Sequence, residues 1–118
     1  MGNPVRMAVI GLGWFGEKHC EALAAVPHIE LAAVCTRTES RLAEVAARFG
    51  VEQSCTDYRD LLASPDIDAV SIVTMWDQHT DPAIAALAAG KHVFLEKPMA
   101  STVEDCQAIV QAADASDA

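Results

Sequence analysis

The hexapeptide Gly11-Leu12-Gly13-Trp14-Phe15-Gly16 lies between an apolar run and an amphipathic stretch, and that placement constrains the fold more than any other feature. Alone, the spacing G-x-G-x-x-G is weak, because many glycine turns match it. Here Val5 to Ile10 reads as a buried strand, and about Trp14 to Ala25 reads as a helix stopped by Val26-Pro27. In a strand–turn–helix of this kind the first glycine allows a tight turn and the second lets backbone approach a pyrophosphate. The third lets the helix pack close to the strand. The helix N-terminus adds unbonded N–H groups and the positive end of its dipole. A turn that merely connects strand and helix is the plain alternative, but it seldom needs all three glycines.

The rest of the chain repeats the alternation. Glu30 to Cys35 is a second buried run, followed by a helix with Leu42, Val45, Ala46 and Phe49 on one face and Gly50 as its stop. A short segment, Glu52 to Cys55, leads to a helical turn from Asp57 to Ala63, broken by Ser64-Pro65-Asp66. Ala69 to Val73 reads as a third clear strand. Thr80 or Asp81 caps the next helix, with Pro82 at its first position and Gly90 at its end. His92 to Leu95 is a further strand. Ser101 and Glu104 form a capping box for a last helix with the stripe Val103, Cys106, Val110 and Ala113, and the tail beyond it frays. Short apolar strands alternating with amphipathic helices predict an α/β fold, a doubly wound parallel sheet of the Rossmann type.

Composition fits one such domain over residues 1–118: hydrophobic residues make up 52% of the chain and aromatics 5%. A net charge of −9 argues against nucleic-acid and anionic-membrane partners, so a bound anion needs a local positive site. No apolar run is long enough for a membrane span or a signal peptide. Cys20, Cys35, Cys55 and Cys106 show neither C-x-x-C nor zinc-like spacing. They read as small buried thiols of a cytoplasmic protein, and no metal is expected.

The end of the second strand bears on cofactor choice. An NAD site of this kind places a carboxylate there for the ribose 2′-hydroxyl. This chain has Cys35-Thr36-Arg37-Thr38 and no carboxylate before Glu39. Thr36 and Thr38 can donate hydroxyls, and Arg37, with Arg41, can form a charged fork to a 2′-phosphate. NADP is therefore expected over NAD, which stays possible. The alternative makes both arginines solvated residues at a helix start.

Two further segments carry a resemblance. Asp68 to His79 (Asp-Ala-Val-Ser-Ile-Val-Thr-Met-Trp-Asp-Gln-His) runs into a helix, and Gly90 to Pro98 (Gly-Lys-His-Val-Phe-Leu-Glu-Lys-Pro) follows. With Gly11 to Gly16 and His19, they make the chain similar to the N-terminal domain of the Gfo/Idh/MocA oxidoreductases, the family of glucose-fructose oxidoreductase and inositol dehydrogenase. Glu96-Lys97-Pro98 matches that family's E-K-P. The resemblance implies that Lys97 is catalytic, facing the substrate and the nicotinamide ribose, and that its bond to Pro98 is often cis. Thr74 and His79 match the ends of T-P-x-x-x-H, beside the nicotinamide half of the cofactor. Met75 replaces the usual proline, and Trp76 the common asparagine, so Trp76 is expected to cover the cofactor or line the substrate cleft. Thr74, His79, Glu96 and Lys97 all fall at carboxyl ends of expected strands, where open α/β sheets bind ligands. His19 reads as structural, and His28 and His92 as plain loop and strand residues.

The resemblance further implies hydride transfer to or from a sugar, cyclitol or related carbinol. It also implies a second, α+β substrate domain that lies outside these 118 residues, and a homo-oligomeric full-length enzyme. By itself the chain is expected to be inactive. A stand-alone NAD(P)-binding sensor without catalysis is the runner-up, and a Rossmann domain for S-adenosylmethionine or a nucleotide sugar is a third reading.

Overall fold

The computed structural model describes residues 2–118. Five strands, β1 (Val5–Ile10), β2 (Ile29–Cys35), β3 (Gln53–Cys55), β4 (Ala69–Ile72) and β5 (His92–Leu95), form one sheet in the order β3-β2-β1-β4-β5. All four pairings are parallel. The helices are α1 (Trp14–Ala25), α2 (Glu39–Phe49), α3 (Tyr58–Leu62), α4 (Thr80–Ala88) and α5 (Val103–Asp114), with a 3₁₀ turn over Trp76–Gln78. The chain winds outward from β1 in one direction through β2 and β3, then returns to β1's other side for β4 and β5. Ile10 is level with both Cys35 and Ile72, so the loops after β1, β2 and β4 leave the sheet together at this switch point.

Successive strand residues face opposite sides, and both sides are covered, which is why the strands read as continuous apolar runs. Ala8 and Ile10 join Val70, Ile72, Leu61, Ala83 and Ile109 in one core layer. Val9 and Val34 join Leu12, Cys20, Leu42 and Val45 in the other, under α1 and α2. Gly50 ends α2 in the left-handed region at φ 64°, as its place after Phe49 predicted. Strand bounds agree with the sequence reading to within a residue or so.

At the amino ends of the strands the polar groups satisfy one another. Arg6 donates to Asp68 through its backbone N–H (2.8 Å), Nε (3.1 Å) and Nη2 (3.0 Å). Those bonds, the side-chain one first, hold the Asp68 carboxyl down at about 2. Lys91 is buried just before β5, and its Nζ donates to the carbonyls of Ser64 and Ile67, both at 2.8 Å.

Four local expectations need correction. Thr102, not Ser101, caps α5, its hydroxyl accepting from Asp105 N at 3.1 Å. On that helix Val103 and Val110 are 69% and 48% exposed, while Ile109 is buried. Cys106, Ala112 and Ala113 lie partly buried on the inward side, because a row of small residues lets α5 approach α4 closely. Helix α4 has no side-chain cap at Thr80 or Asp81, since the 3₁₀ turn runs straight into it through His79. Finally, only Cys20 and Cys35 are fully buried. Burial pushes the Cys20 thiol up to about 11, which leaves it a poor nucleophile. Among the described residues no helix is long and apolar enough to cross a membrane.

Candidate functional site

An open cleft of about 1140 Å³ lies at the carboxyl ends of the strands. Its walls are Gly11 to Gly16 after β1, Thr36 to Thr38 after β2, Thr56 to Arg59 after β3, and Val73 to Gln78 after β4. The first turn of α4, Glu96 and Asp105 complete it.

The three glycines of the β1–α1 turn are not equivalent. Gly11 has φ +100°, and a Cβ there would come within 2.6 Å of the Val73 carbonyl. At Gly16 a Cβ would meet the Gly11 carbonyl oxygen at 1.9 Å. Both are glycines because the fold leaves no room. Gly13 is different: its backbone is extended, and a Cβ would have nothing within 4 Å. Nothing inside the chain requires glycine at that point, so the open space beside it is a cradle for a group that comes from outside. The first helical hydrogen bond runs from Glu17 N to Gly13 O at 3.0 Å, which leaves the preceding amides of the helix end directed at that space. Backbone donors with no side chain in front of them suit a pyrophosphate, and the site fits a dinucleotide on that ground.

On the β2–β3 side Thr36, Arg37 and Thr38 all line the cleft. Arg37 Nη2 donates across it to Gln78 Oε1. Arg41, which the sequence pairs with Arg37, is not on this wall in the structure. Its Nε donates to the Leu12 carbonyl (2.8 Å), Nη2 to Glu17 (2.6 Å) and Nη1 to Glu44 (2.9 Å). It lies in the first turn of α2 and points back at the glycine turn, where it buttresses that loop. Arg48 also donates to Glu17, so the Glu17 carboxyl is held below its usual range, by Arg41 first. Arg59, which sequence reasoning missed, is the second arginine on the wall. Only the structure shows why: Cys35 and Cys55 pair in register and so carry the residues that follow both strands to one edge of the cleft.

On the β4–β5 side Thr74 Oγ1 donates to the Gln78 carbonyl at 2.9 Å and shapes the loop. Met75 and Trp76 are exposed and form an apolar wall, as do Trp14 and Phe15 opposite. His79 lies beneath this wall. It is 1% exposed and absent from the wall. Its Nδ1 faces the Pro98 carbonyl at 2.8 Å and its Nε2 the Thr74 carbonyl at 3.2 Å, so it pins the β4 loop to the β5 loop from beneath. Lys97 and Pro98 also stand off the wall, because β5 is the outermost strand and its loop leaves at the sheet's edge. The Lys97–Pro98 bond is cis, and Lys97 is exposed at the rim. Among the described residues its ammonium has no ion-pair partner. Glu96 is the member of the triplet that reaches the cleft, and its carboxylate meets His19 Nε2 at 3.1 Å. No group of three His, Cys, Asp or Glu side chains gathers as a metal site among the described residues.

Comparison with known proteins gives concordant results. A family model described as "Oxidoreductase family, NAD-binding Rossmann fold", that of Gfo/Idh/MocA, matches residues 5–118. The 4-carboxy-2-hydroxymuconate-6-semialdehyde dehydrogenase of a Sphingobium species is 39% identical over 107 residues, 91% of this chain and 34% of that protein. The inositol 2-dehydrogenase of Salmonella typhimurium is 36% identical over 110 residues, 92% of this chain and 33% of its own length. Among solved structures, scyllo-inositol dehydrogenase from Lactobacillus casei, with bound NAD(H) and scyllo-inositol, superposes with a TM-score of 0.86. It is 33% identical and covers 95% of this chain, which spans 34% of it. The chain thus spans about a third of the length of these relatives.

Proposed function

The chain belongs to the Gfo/Idh/MocA oxidoreductase family, and from that premise we propose that it is the dinucleotide-binding part of an enzyme that moves a hydride to or from a sugar, cyclitol or similar carbinol. Gly13 is the observation that carries the binding function: no atom of the fold crowds its missing Cβ, and the open space before the α1 N-terminus suits a ligand against the turn. A nicotinamide dinucleotide, when bound, supplies the hydride donor or acceptor. Everything else falls to the protein. The α1 N-terminus and the Gly13 backbone hold the pyrophosphate; Met75 and Trp76 exclude water from the β4 side of the cleft. Lys97 Nζ, exposed at the rim and unpaired, holds the reacting oxygen of a substrate seated between this rim and a second domain, and its proton is the one shared with that oxygen.

The cofactor in this reading is NADP rather than NAD. No carboxylate stands between Cys35 and Glu39, and Arg37, Thr36 and Thr38 line the wall where a 2′-phosphate would lie. With Arg41 occupied elsewhere, Arg59 is the second arginine on that wall, where its guanidinium pairs with Asp57 at 3.3 Å and a 2′-phosphate would have to compete with that carboxylate. The four free thiols favour a reducing compartment, the cytoplasm. Titration calorimetry of the 118-residue chain with NADPH, NADH and S-adenosylmethionine tests this directly. The reading expects NADPH to bind most tightly and S-adenosylmethionine not at all. Equal or tighter binding of NADH overturns the NADP assignment, and binding of S-adenosylmethionine alone overturns the function. The isolated chain is expected to show negligible turnover of any polyol.

A further inference from the structure

Beneath the rim, three buried or half-buried side chains from three elements meet in a line. Ser71 on β4 is 1% exposed, and its Oγ lies 2.6 Å from His19 Nδ1. His19, on α1, places Nε2 at 3.1 Å from Glu96 Oε2, at the end of β5. The other carboxylate oxygen, Oε1, accepts the backbone N–H of Lys97 at 3.2 Å. The rings of Phe15 and Phe94 pack edge-on against His19 from either side, at 5.0 and 5.9 Å between centroids.

With a neutral imidazole, donor and acceptor roles in this line follow from the carboxylate. An ionised carboxylate only accepts, so the hydrogen toward Glu96 sits on Nε2. Nδ1 then carries a lone pair, and the Ser71 hydroxyl must donate to it. Each group thereby has one role, and the ring cannot turn over without breaking both bonds. Glu96 is held by both oxygens: one to His19, one to the chain at Lys97.

The consequence concerns Lys97. Its immediate neighbour in the chain is a carboxylate, the obvious partner for its ammonium, yet the two side chains form no ion pair. We propose that His19 is a positioning residue that keeps the Glu96 carboxylate off the Lys97 ammonium, so that the lysine reaches the rim free to take a ligand oxygen. The value of this for chemistry rests on the proposed role of Lys97; the geometry does not. His19 does not itself line the cleft, and it meets the wall from behind, through Phe15 and Glu96.

Two measurements on the 118-residue chain test it, and neither involves cofactor or turnover. The first is ¹⁵N–¹H correlation of the imidazole groups in the unmodified chain. His19 is expected with hydrogen on Nε2, the nitrogen that holds Glu96; a bare Nε2 or a freely exchanging mixture of tautomers overturns the proposal. The second follows acetylation of Lys97 by peptide mass spectrometry, with Lys18 as internal reference. In His19→Ala the released carboxylate pairs with Lys97 and slows its labelling about two- to fivefold, the range of an exposed ion pair. The double variant His19→Ala/Glu96→Gln restores the original rate. An unchanged rate in folded His19→Ala overturns the proposal, as does a slowed rate that Glu96→Gln leaves slow. Should His19→Ala fail to fold, the tautomer measurement decides alone. If Lys97 itself proves dispensable for catalysis in the full-length enzyme, the functional reading falls while these two results stand.

Discussion

The two ends of the sheet are built from the same five strands and do opposite things with their polar groups. Two lysines that bracket β5 make the contrast concrete. Lys91, before the strand, is buried with its ammonium spread over the carbonyls of Ser64 and Ile67. Lys97, after it, is exposed, and the nearest carboxylate is turned away from it. Arg6 and Asp68 close the amino end in the same self-contained way, whereas the carboxyl end presents Trp14, Met75 and Trp76 to solvent. The amino end spends its charges on the fold. The carboxyl end leaves an exposed apolar rim around a cleft lined by charges of both signs, Arg37 and Arg59 beside Asp57, Asp77, Asp81, Glu96 and Asp105.

That contrast can be broken most sharply at the lysines. Lys97→Met is expected to lower kcat of the full-length enzyme about 100-fold or more while leaving the melting temperature of the domain unchanged. Retained turnover would make the two ends alike. Lys91→Met should do the reverse, destabilising the domain by about 1–3 kcal/mol, because two carbonyls lose their donor in a buried position. Denaturant titration reads the loss, and dinucleotide affinity should not move. On the wall, Arg37→Ala is expected to weaken NADPH binding about tenfold, roughly 1.4 kcal/mol, with NADH little affected. A uniform loss for both cofactors would place Arg37 elsewhere than at the 2′-phosphate.

The smallest effect belongs to the amino end and depends on pH. Arg6 holds the Asp68 carboxyl at about 2, below the ordinary aspartate value near 3.9. A lowered folded value means that the stabilisation is complete above about pH 4 and drains away as pH falls through 2. Thermal melts between pH 5 and pH 2 should therefore show a slope that Asp68→Asn flattens. Both groups are partly exposed, so high salt should shrink the difference.

Much of this was legible in the sequence, and the misses share a cause. Strand runs, helix stops and the glycine turn are local signals, each set by a few consecutive residues, and they placed the cleft correctly at the strand ends. Which face of a helix is buried, or where a long side chain points, depends on a neighbour distant in the chain. The valines of α5 lost to an alanine row because α4 lies close by; Arg41 folded back onto the glycine turn because Glu17 on α1 offered it a carboxylate. For His79 the sequence gives the neighbourhood, and only the meeting of two loops shows that its nitrogens face Thr74 and Pro98. Arg59 was overlooked because a three-residue strand, β3, gives little signal of its own.

Gly16 and Gly13 differ by three positions and by reason: one has no room for a methyl group, the other has room and no internal use for it. Replacing Gly13 with alanine therefore tests the central claim, that this turn is open for a dinucleotide. The chain carrying Gly13→Ala should melt within about 1 kcal/mol of the unmodified protein, the modest cost of alanine at a helix N-cap. It should also bind NADPH at least about tenfold more weakly, the loss of roughly 1.4 kcal/mol as the methyl group displaces the pyrophosphate. Unchanged affinity in a chain that folds normally would contradict the account.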